Sequence, residues 1–414
     1  MKSPYLAKFQ KKTTFLSISA PKPLTLIIQA ICLSLFIYSC DNEVLDSDLY
    51  NETLNIDPTL ASNYDINEVF NEFDFLSLEN GGQLVGSVDK VIFAENKYYI
   101  LDKDYTNGVY IFDVKGGYIG QIGIEGDGPT NYEDINDFTI VTVEGAQEVW
   151  ILDNGNGYLS LCKYDLAGAF LKKTKSKLMA DFIDYVPSGS LIFSTSNQCN
   201  DDFCADIFTT DLNLKVVAKA NKPTALYREF WFEPNNPISV SQTTASAISY
   251  GHSKIIRTDT QTGLLINDIK VDFGTYGISS DITKKYYASI EGFLVETNRE
   301  RVCHLIDNLF HTDRNLFFSF KYGSSEYYYL KNSTYQNGTV IKNILLNTGI
   351  DVILPLDVIG GYDNTLLVLL GTEELLAFYQ KHKDEIDKHS GPFPSLLRDI
   401  KDSSNPVIVK LKFR

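Results

Sequence analysis

Alternating apolar and polar residues recur along the chain in short runs that turn residues separate. The stretch 97–123 reads KYYILDKDYTNGVYIFDVKGGYIGQIG, and the stretch 148–175 reads EVWILDNGNGYLSLCKYDLAGAFLKKTK. In both, Ile-Leu-Asp precedes an Asn-Gly turn, an alternating run and Asp-x-x-Gly, the last at 113–116 and 165–168. Asp bonds its own backbone and Gly takes positive φ, so this motif is typical of a hairpin turn between two strands.

Weaker copies of the same unit follow, each with about four short strands in roughly 45–60 residues. One four-stranded sheet of this size cannot bury both faces, so the units must stack. Radial stacking predicts an all-β fold, a six-bladed β-propeller of four-stranded antiparallel blades. The alternative is a pair of stacked sandwiches. The predicted blades are 85–124, 135–175, 179–220, 226–273, 303–345 and a last one assembled from 356–371 and 405–414.

Three further stretches complete this prediction. The alternating run 72–79 has no hairpin partner nearby, and we expect it to be the outer strand of the last blade, closing the ring. Residues 274–300 are predicted to form a long insertion, which is long enough to contain a helix. Residues 372–400 have apolar residues at helical spacing, which predicts an amphipathic helical insertion near the C-terminus.

The first forty residues have the layout of an export signal. Residues 1–23 hold five lysines and no acid, and an apolar run of 14 follows at 24–37. That run is too short to span a bilayer. It ends in Ile37-Tyr38-Ser39-Cys40, which resembles the bacterial lipobox. The resemblance implies a signal peptide over 1–39 and a lipid on Cys40 that attaches the chain to a membrane. An uncleaved N-terminal anchor is the alternative.

The amino-acid composition argues against one class of binding partner. The net charge is −16, from 37 basic and 53 acidic residues, so nucleic acid is not an expected partner. The polar, acidic stretch 40–67 is predicted to be a flexible tether, followed by the propeller over 68–414. Cys199 and Cys204 flank a four-residue polar turn, a spacing that suits a small disulfide loop in an oxidising compartment. A metal site there would need further ligands, and the neighbouring sequence has none.

The sequence also resembles a known family. GDGPTNY at 126–132 is similar to the Gly-x-Gly-Pro-x-x-Tyr loop of the six-bladed β-propeller lipoproteins of Bacteroidetes, relatives of the NHL-repeat propellers. Thr130 and Asn131 stand where Gly-Glu is usual, and NPVIVKLKFR at 405–414 resembles the family's last strand. The resemblance implies an outer-membrane lipoprotein that faces the periplasm or the cell surface. It implies no settled activity.

Propeller geometry places the loops 102–108, 124–134 and 153–157 on one face, at a mouth of the central channel. Their carboxylate, amide and aromatic groups suit a sugar or a peptide. The competing interpretation is turn chemistry, with Asp and Asn capping hairpins and Tyr packing between blades. The candidate residues are Asp102, Lys103, Asp104, Tyr105, Asp127, Tyr132, Glu133, Asp153, Asn154 and Asn156.

No catalytic, metal or cofactor motif stands out in the sequence. There is no HExxH spacing, no Gly-x-Ser-x-Gly elbow and no phosphate-binding loop. We therefore predict a non-catalytic, lipid-anchored propeller without cofactor or metal, which binds a glycan, a peptide or an envelope protein. The alternatives are a carbohydrate-active enzyme, either a polysaccharide lyase or a glycoside hydrolase, and a purely structural role in an envelope complex.

Overall fold

Antiparallel β-strands are the main regular structure in the described part of this protein, whose structure is a computed structural model. It describes residues 44–45, 50–81, 84–155, 159–200, 202–220, 234–249, 253–286, 289–347, 351–401 and 404–414. The predicted signal peptide, Cys40 and Asn156 lie outside the described residues, so the expectations for them stay predictions.

A short N-terminal series of elements precedes the main body. It comprises β1 (Val44–Leu45), β2 (Glu52–Asn55), β3 (Ser62–Asp65), the helical turn α1 (Ile66–Val69) and β4 (Phe70–Ser77).

The first three groups of four strands follow directly. They are β5 (Lys90–Ala94), β6 (Lys97–Asp102), β7 (Gly108–Asp113) and β8 (Tyr118–Ile122); β9 (Ile135–Val143), β10 (Ala146–Asp153), β11 (Ser160–Asp165) and β12 (Phe170–Lys175); and β13 (Phe182–Val186), β14 (Ser190–Ser194), β15 (Ile207–Asp211) and β16 (Val216–Ala220).

The second half of the chain adds helices. The fourth group is β17 (Ile238–Val240), β18 (Ala245–Ser249), β19 (Lys254–Thr258) and β20 (Leu265–Asp272), followed by α2 (Ser280–Tyr286) and α3 (Ile290–Arg299). The fifth is β21 (Cys303–His311), β22 (Leu316–Tyr322), β23 (Ser325–Lys331) and β24 (Thr339–Asn347), with β25 (Asp351–Leu354) at its edge. The chain ends with β26 (Asp357–Tyr362), β27 (Thr365–Leu370), α4 (Thr372–Ile386), α5 (Pro392–Asp399) and β28 (Val407–Phe413).

Each group pairs antiparallel in chain order, and burial explains its sequence pattern. Strand β6 buries five of its six residues, because both of its faces are covered, whereas β12 buries none. Continuous apolar runs therefore mark strands inside a stack of sheets, and alternating polar runs mark strands at its rim.

Apolar clusters fill the spaces between consecutive groups. Tyr99 of the first group packs with Phe138 of the second, and comparable clusters lie between each later pair of groups. The last group packs on the first through Leu367 and Tyr98. The first strands contact one another in the order β5, β9, β13, β17, β21 and β26, and β26 contacts β5 through a bridge between Gly360 and Val91. The core is therefore a series of layers between sheets.

The Asp-x-x-Gly turns pack on the group before them. Gly116 has φ +89°, and a Cβ there would meet the Ser77 carbonyl oxygen at the end of β4. Gly168 has φ +92°, and a Cβ there would lie 2.6 Å from the Gln121 carbonyl oxygen in β8. Glycine at this repeat position thus permits both the turn and the close approach of two sheets.

The two ends of the described chain lie in one sheet. Strand β4 pairs antiparallel with β28 in the order β4-β28-β27-β26, from Ser77 opposite Val407 to Phe70 opposite Phe413. The alternating run 72–79 is thus the outer strand beside the C-terminal strand, as its pattern predicts.

The structure departs from the expected tether over residues 50–67. Strand β2 pairs parallel with β20, and β3 pairs parallel with β24, so this stretch covers the rims of two sheets. Its apolar residues are few, but Leu54 and Ile56 are buried. Short polar strands are a common cover for exposed sheet edges, which is why the composition concealed them.

Both predicted insertions contain helices. Residues 274–300 form α2 and α3, and residues 372–400 form α4 and α5. Leu375, Ile386 and Phe393 are buried in the apolar cluster of the last two groups, and the Phe393 ring lies 5.5 Å from that of Phe75 in β4. The C-terminal insertion therefore covers the outer strand of the last group.

Candidate functional site

A cavity of about 330 Å³ lies where the first strands of several groups begin, and we call it the mouth cavity. Its walls come from the residues that lead into β5, β9, β17 and β26 and from those that follow β6. Its polar lining residues are Ser87, Asp89, Lys90, Lys103, Asp104, Asn136, Asp137, Asn235, Asn236 and Asp357. The volume is in the range of small-molecule sites.

Three carboxylates of the mouth cavity, Asp89, Asp137 and Asp357, have a raised pKa. Asp89 Oδ2 accepts hydrogen bonds from the Lys103 backbone N–H (2.6 Å) and from Ser87 Oγ (3.0 Å). Burial raises the pKa of Asp89, and the negative charge of Asp104 adds to the rise. Burial also raises the pKa of Asp357, against the opposing effect of Lys321. Burial raises the pKa of Asp137, against the opposing effect of Lys90. These groups hold a proton more readily than an exposed carboxylate does.

Lys90 lies at the inner end of the mouth cavity. Its Nζ contacts Asp137 Oδ2 at 3.0 Å and donates to the Ile183 carbonyl oxygen at 2.9 Å, with Asp184 Oδ2 at 3.8 Å. Burial alone lowers the pKa of Lys90, but Asp137 and Asp184 together raise it above its usual value. The ammonium therefore stays charged and links the first strands β5, β9 and β13.

A second cavity, of about 600 Å³, opens at the other end of the first strands, and we call it the turn cavity. The turns β17–β18, β21–β22 and β26–β27 contribute to it, and Lys90, Asn236 and Ile238 line both cavities. Phe93 and Tyr362 form a stacked pair in its wall, with ring centroids 4.6 Å apart.

Only part of the predicted ligand face lines a cavity. Lys103 and Asp104 line the mouth cavity. The other described candidates are outside its lining: Asp102, Tyr105, Asp127, Tyr132, Glu133, Asp153 and Asn154. The three loops do meet, because Asn107 Nδ2 donates to the Glu133 carbonyl oxygen at 3.2 Å and the Asn154 N–H donates to the Asp134 carbonyl oxygen at 3.1 Å.

Asp102 hydrogen-bonds to nearby backbone and a hydroxyl. It is fully buried and accepts from the Gly86 N–H at 2.6 Å and the Tyr105 N–H at 3.1 Å, with Ser87 Oγ at 3.2 Å. Tyr105 itself is 76% exposed. Asp102 thus supports its own loop, in agreement with the turn-chemistry interpretation.

Asp153, at the equivalent position of the next repeat, also accepts hydrogen bonds from loop backbone N–H groups. Its Oδ1 accepts from the N–H groups of Glu133 (3.2 Å) and Asp134 (3.0 Å), and its Oδ2 pairs with Lys173 at 2.8 Å. Burial would raise the pKa of Asp153, but these partners lower it below its usual value. Burial raises the pKa of Tyr132 to about 12, as expected for a phenol packed between sheets.

The structure also places the paired cysteines. Cys199 and Cys204 form a disulfide with their Cα atoms 4.5 Å apart. Cys162 and Cys303 are free and buried.

Sequence reasoning missed the acidic and amide residues at the starts of the first strands. Asp89 and Asn235 lie just before β5 and β17, Asn136 is the second residue of β9, and Asp357 is the first residue of β26. That recurring position is the signal that could have identified them, because the starts of these strands line one cavity.

The described residues contain neither a cluster of metal ligands nor a membrane-spanning helix. Within the ranges given above, no group of three or more His, Cys, Asp or Glu side chains is arranged to hold a metal ion. In the same residues, no helix has the length and apolarity needed to cross a membrane.

Comparison with known proteins gives a family and a shared fold. Residues 52–412 match the family described as a domain of unknown function, DUF4934. The candidate exported protein BF0058 of Bacteroides fragilis NCTC 9343 has a TM-score of 0.68 at 16% identity, over 88% of this chain and 100% of that one. Both findings fit the predicted Bacteroidetes family.

Other solved structures are more distant. A DUF4221 member from Bacteroides vulgatus has a TM-score of 0.43 and 12% identity, over 84% of this chain and 97% of that one. Virginiamycin B lyase from Staphylococcus aureus has a TM-score of 0.38 and 12% identity, over 83% and 99%. Comparison with functionally curated proteins gives no match.

Proposed function

The chain belongs to the DUF4934 family, and from that premise we propose that it is an exported, lipid-anchored, closed six-bladed β-propeller that binds a polar ligand in its mouth cavity. The contacts between first strands, which return from β26 to β5, support the closed ring. The shared fold of an exported-protein candidate agrees with a role outside the cytoplasm.

The mouth cavity carries the proposal for binding. Asp104 and Asn235 are exposed at its rim. Asn136 and Asn236 lie deeper inside, where their Nδ2 groups donate to Asp181 and to the Leu309 carbonyl oxygen. Such a mixture of carboxylate and amide groups suits the hydroxyls of a glycan or the backbone of a peptide or envelope protein. The carrying observation is the convergence of these polar groups on one cavity. The Lys90 ammonium is already paired with Asp137 and donates to the Ile183 carbonyl oxygen, so it is not free to bind an ionic ligand or to act as a nucleophile.

Binding can be tested with the full-length protein in detergent on a glycan array and on tiled peptides from envelope proteins. We expect a saturable ligand whose affinity falls at least about tenfold in the double variant Asp104→Ala, Asn235→Ala, since each lost hydrogen bond contributes about 1 kcal/mol or somewhat more. Asp127→Ala, on the predicted face but outside the cavity, is the matched control. Equal losses in the two proteins would contradict a site at the mouth cavity.

A carbohydrate-active enzyme is the second candidate, because Asp89 and Asp357 have raised pKa values in the same cavity. A carboxylic acid that keeps its proton can act as the general acid of glycoside cleavage. This candidate predicts release of reducing sugar from a bound glycan, and abolition of that release in Asp357→Asn with binding retained. Binding without any product over days would favour the binding protein.

The lipid anchor has its own test. Cys40→Ser is expected to abolish incorporation of radiolabelled palmitate and to move the protein from the membrane fraction to the soluble fraction. Cys32→Ser, in the apolar run of the predicted signal, should leave both unchanged. A Cys40→Ser protein that still carries label would show that the chain is not lipidated there.

A further inference from the structure

A third cavity, of about 530 Å³, lies between the fourth and fifth groups, and we call it the side cleft. It is bounded by β2, β20, the end of β21 and the β23–β24 loop. Thr312, Asp313 and Arg314 of the β21–β22 turn line both the side cleft and the turn cavity. The two cavities are thus neighbours on the end of the molecule opposite the mouth cavity.

The charges of the side cleft cancel. Glu52 pairs with Lys331, and Asp268 pairs with Arg257 at 3.5 Å and accepts from Asn51 Nδ2 at 2.8 Å. Asp313 and Arg314 add one charge of each sign. In a chain with 53 acidic and 37 basic residues, a balanced cleft does not select a charged ligand.

Two buried side-chain atoms of residues that line the cleft have no hydrogen-bond partner in the described part of the chain. Asn315 is 2% exposed and Asn332 is 6% exposed, and both line the cleft. Asn315 Oδ1 is a buried acceptor and Asn332 Nδ2 a buried donor, each without a hydrogen bond in the described part of the chain. Asn332 Oδ1 accepts from the N–H groups of Thr334 and Tyr335, which orients the side chain. Buried polar atoms left unpaired are costly unless another molecule satisfies them.

His311 adds a group that can donate or accept. Its Nδ1 lies 2.9 Å from the hydroxyl of buried Ser246, which leaves Nε2 without a hydrogen bond to any described residue. Burial lowers the pKa of His311, so the ring is neutral at neutral pH. A neutral imidazole beside one free donor and one free acceptor matches a group that both donates and accepts, which is the property of a sugar hydroxyl.

We propose that the side cleft is a second binding site, for a neutral carbohydrate, in which Asn315, Asn332 and His311 contact the sugar hydroxyls. Its volume is that of a ligand site for a few sugar rings. Because the β21–β22 turn also lines the turn cavity, a longer chain extends past Arg314 towards the Phe93–Tyr362 pair. This site does not depend on the ligand proposed for the mouth cavity.

The test uses calorimetric titration of the full-length protein with cellohexaose, xylohexaose and mannohexaose, and with hexagalacturonate as the charged comparison. We expect at least one neutral hexasaccharide to bind more tightly than hexagalacturonate. Asn332→Asp keeps the Oδ1 acceptor and removes the donor, and is expected to weaken binding at least about tenfold. Asn213→Asp, an exposed turn residue of the third group, makes the same charge change and should have no effect.

Arg314→Ala supplies a second variant that does not touch the buried groups. It should weaken binding of the hexasaccharide and leave the thermal midpoint unchanged, since Arg314 is exposed. Failure of all three neutral sugars to bind would overturn the proposal. So would binding that Asp104→Ala with Asn235→Ala abolishes while Asn332→Asp leaves it intact, because that result would place the sugar in the mouth cavity.

Discussion

Lys90 holds a buried ammonium between β5, β9 and β13, where Asp137 is its closest anionic partner at 3.0 Å. Asp137 is only 2% exposed. Lys90→Met would leave this carboxylate buried without its cation, so we expect the free energy of unfolding to fall by about 3–5 kcal/mol. Urea denaturation at pH 7 measures it. Lys412→Met, which removes an exposed pair with Glu72, should cost about 0–1 kcal/mol, and equal costs would contradict the role of Lys90.

Asp153 gives a pH-dependent prediction at the same scale. Its pKa is lowered in the folded protein, so its stabilisation is present above the unfolded pKa of about 3.9 and is lost as the pH falls through the folded value. Asp153→Asn should therefore reduce the free energy of unfolding by about 2 kcal/mol at pH 7 and by clearly less at pH 3. Urea denaturation at both pH values gives the comparison, and a cost independent of pH would exclude this ionic contribution.

The same residues show how far a sequence predicts a site. Asp102 and Asp153 follow Ile-Leu in two repeats, and the spacing predicts that their loops lie on one face. In the structure, hydrogen bonds link the loop that follows Asp102 with the loop that contains Glu133, and that loop with Asp153. The spacing does not reveal which way either carboxylate points, and both turn inward to backbone N–H groups. Asp89 and Asp357 line the mouth cavity because the first strands of different groups converge there. That convergence depends on how the sheets are arranged in space, which a local sequence pattern does not show.

Among the elements, the Asp-x-x-Gly turn makes a prediction about sheet packing. Gly145 has φ +86° with nothing within 4 Å of an added Cβ, so Gly145→Ala isolates the cost of positive φ, about 1–2 kcal/mol. Gly116→Ala has the same backbone cost and also meets the Ser77 carbonyl oxygen of β4. We expect it to cost about 1–3 kcal/mol more in thermal or urea unfolding. Equal costs would show that the turn does not need this close approach.

Strand prediction succeeded where elements bury apolar residues and failed at the rims. The sequence around β6 and β10 predicts strands because its apolar positions are continuous. The Asp-x-x-Gly motif then predicts the turn after the next strand, β7 or β11. Strands β2 and β3 have four residues each and depend on parallel partners more than 200 residues away in sequence, in β20 and β24. Local composition carries no trace of such distant pairing, so a polar rim strand resembles a linker.

At the scale of the whole molecule, the repeated four-stranded groups determine the architecture, because each group buries apolar side chains against its neighbours. The apolar cluster that contains Tyr98 and Leu367 joins the first and last groups, whose strands come from distant parts of the chain. Strand β4, from the N-terminal part of the chain, pairs with the C-terminal strand β28 and so adds an outer strand to the sheet of β26, β27 and β28. The folding of either end therefore depends on the other.

A disulfide between these two strands tests that closure. Asp74 and Lys410 are directly opposite each other in β4 and β28. Directly opposite Cα atoms of an antiparallel pair lie about 4.5–5.5 Å apart, which is within the range of a disulfide. The double variant Asp74→Cys, Lys410→Cys should oxidise within one chain and raise the free energy of unfolding by about 2–4 kcal/mol, because it constrains a very long loop of the unfolded chain. Urea denaturation with and without reductant measures the gain, and each single variant is a control. A double variant that forms only intermolecular disulfides would contradict the pairing of the two ends.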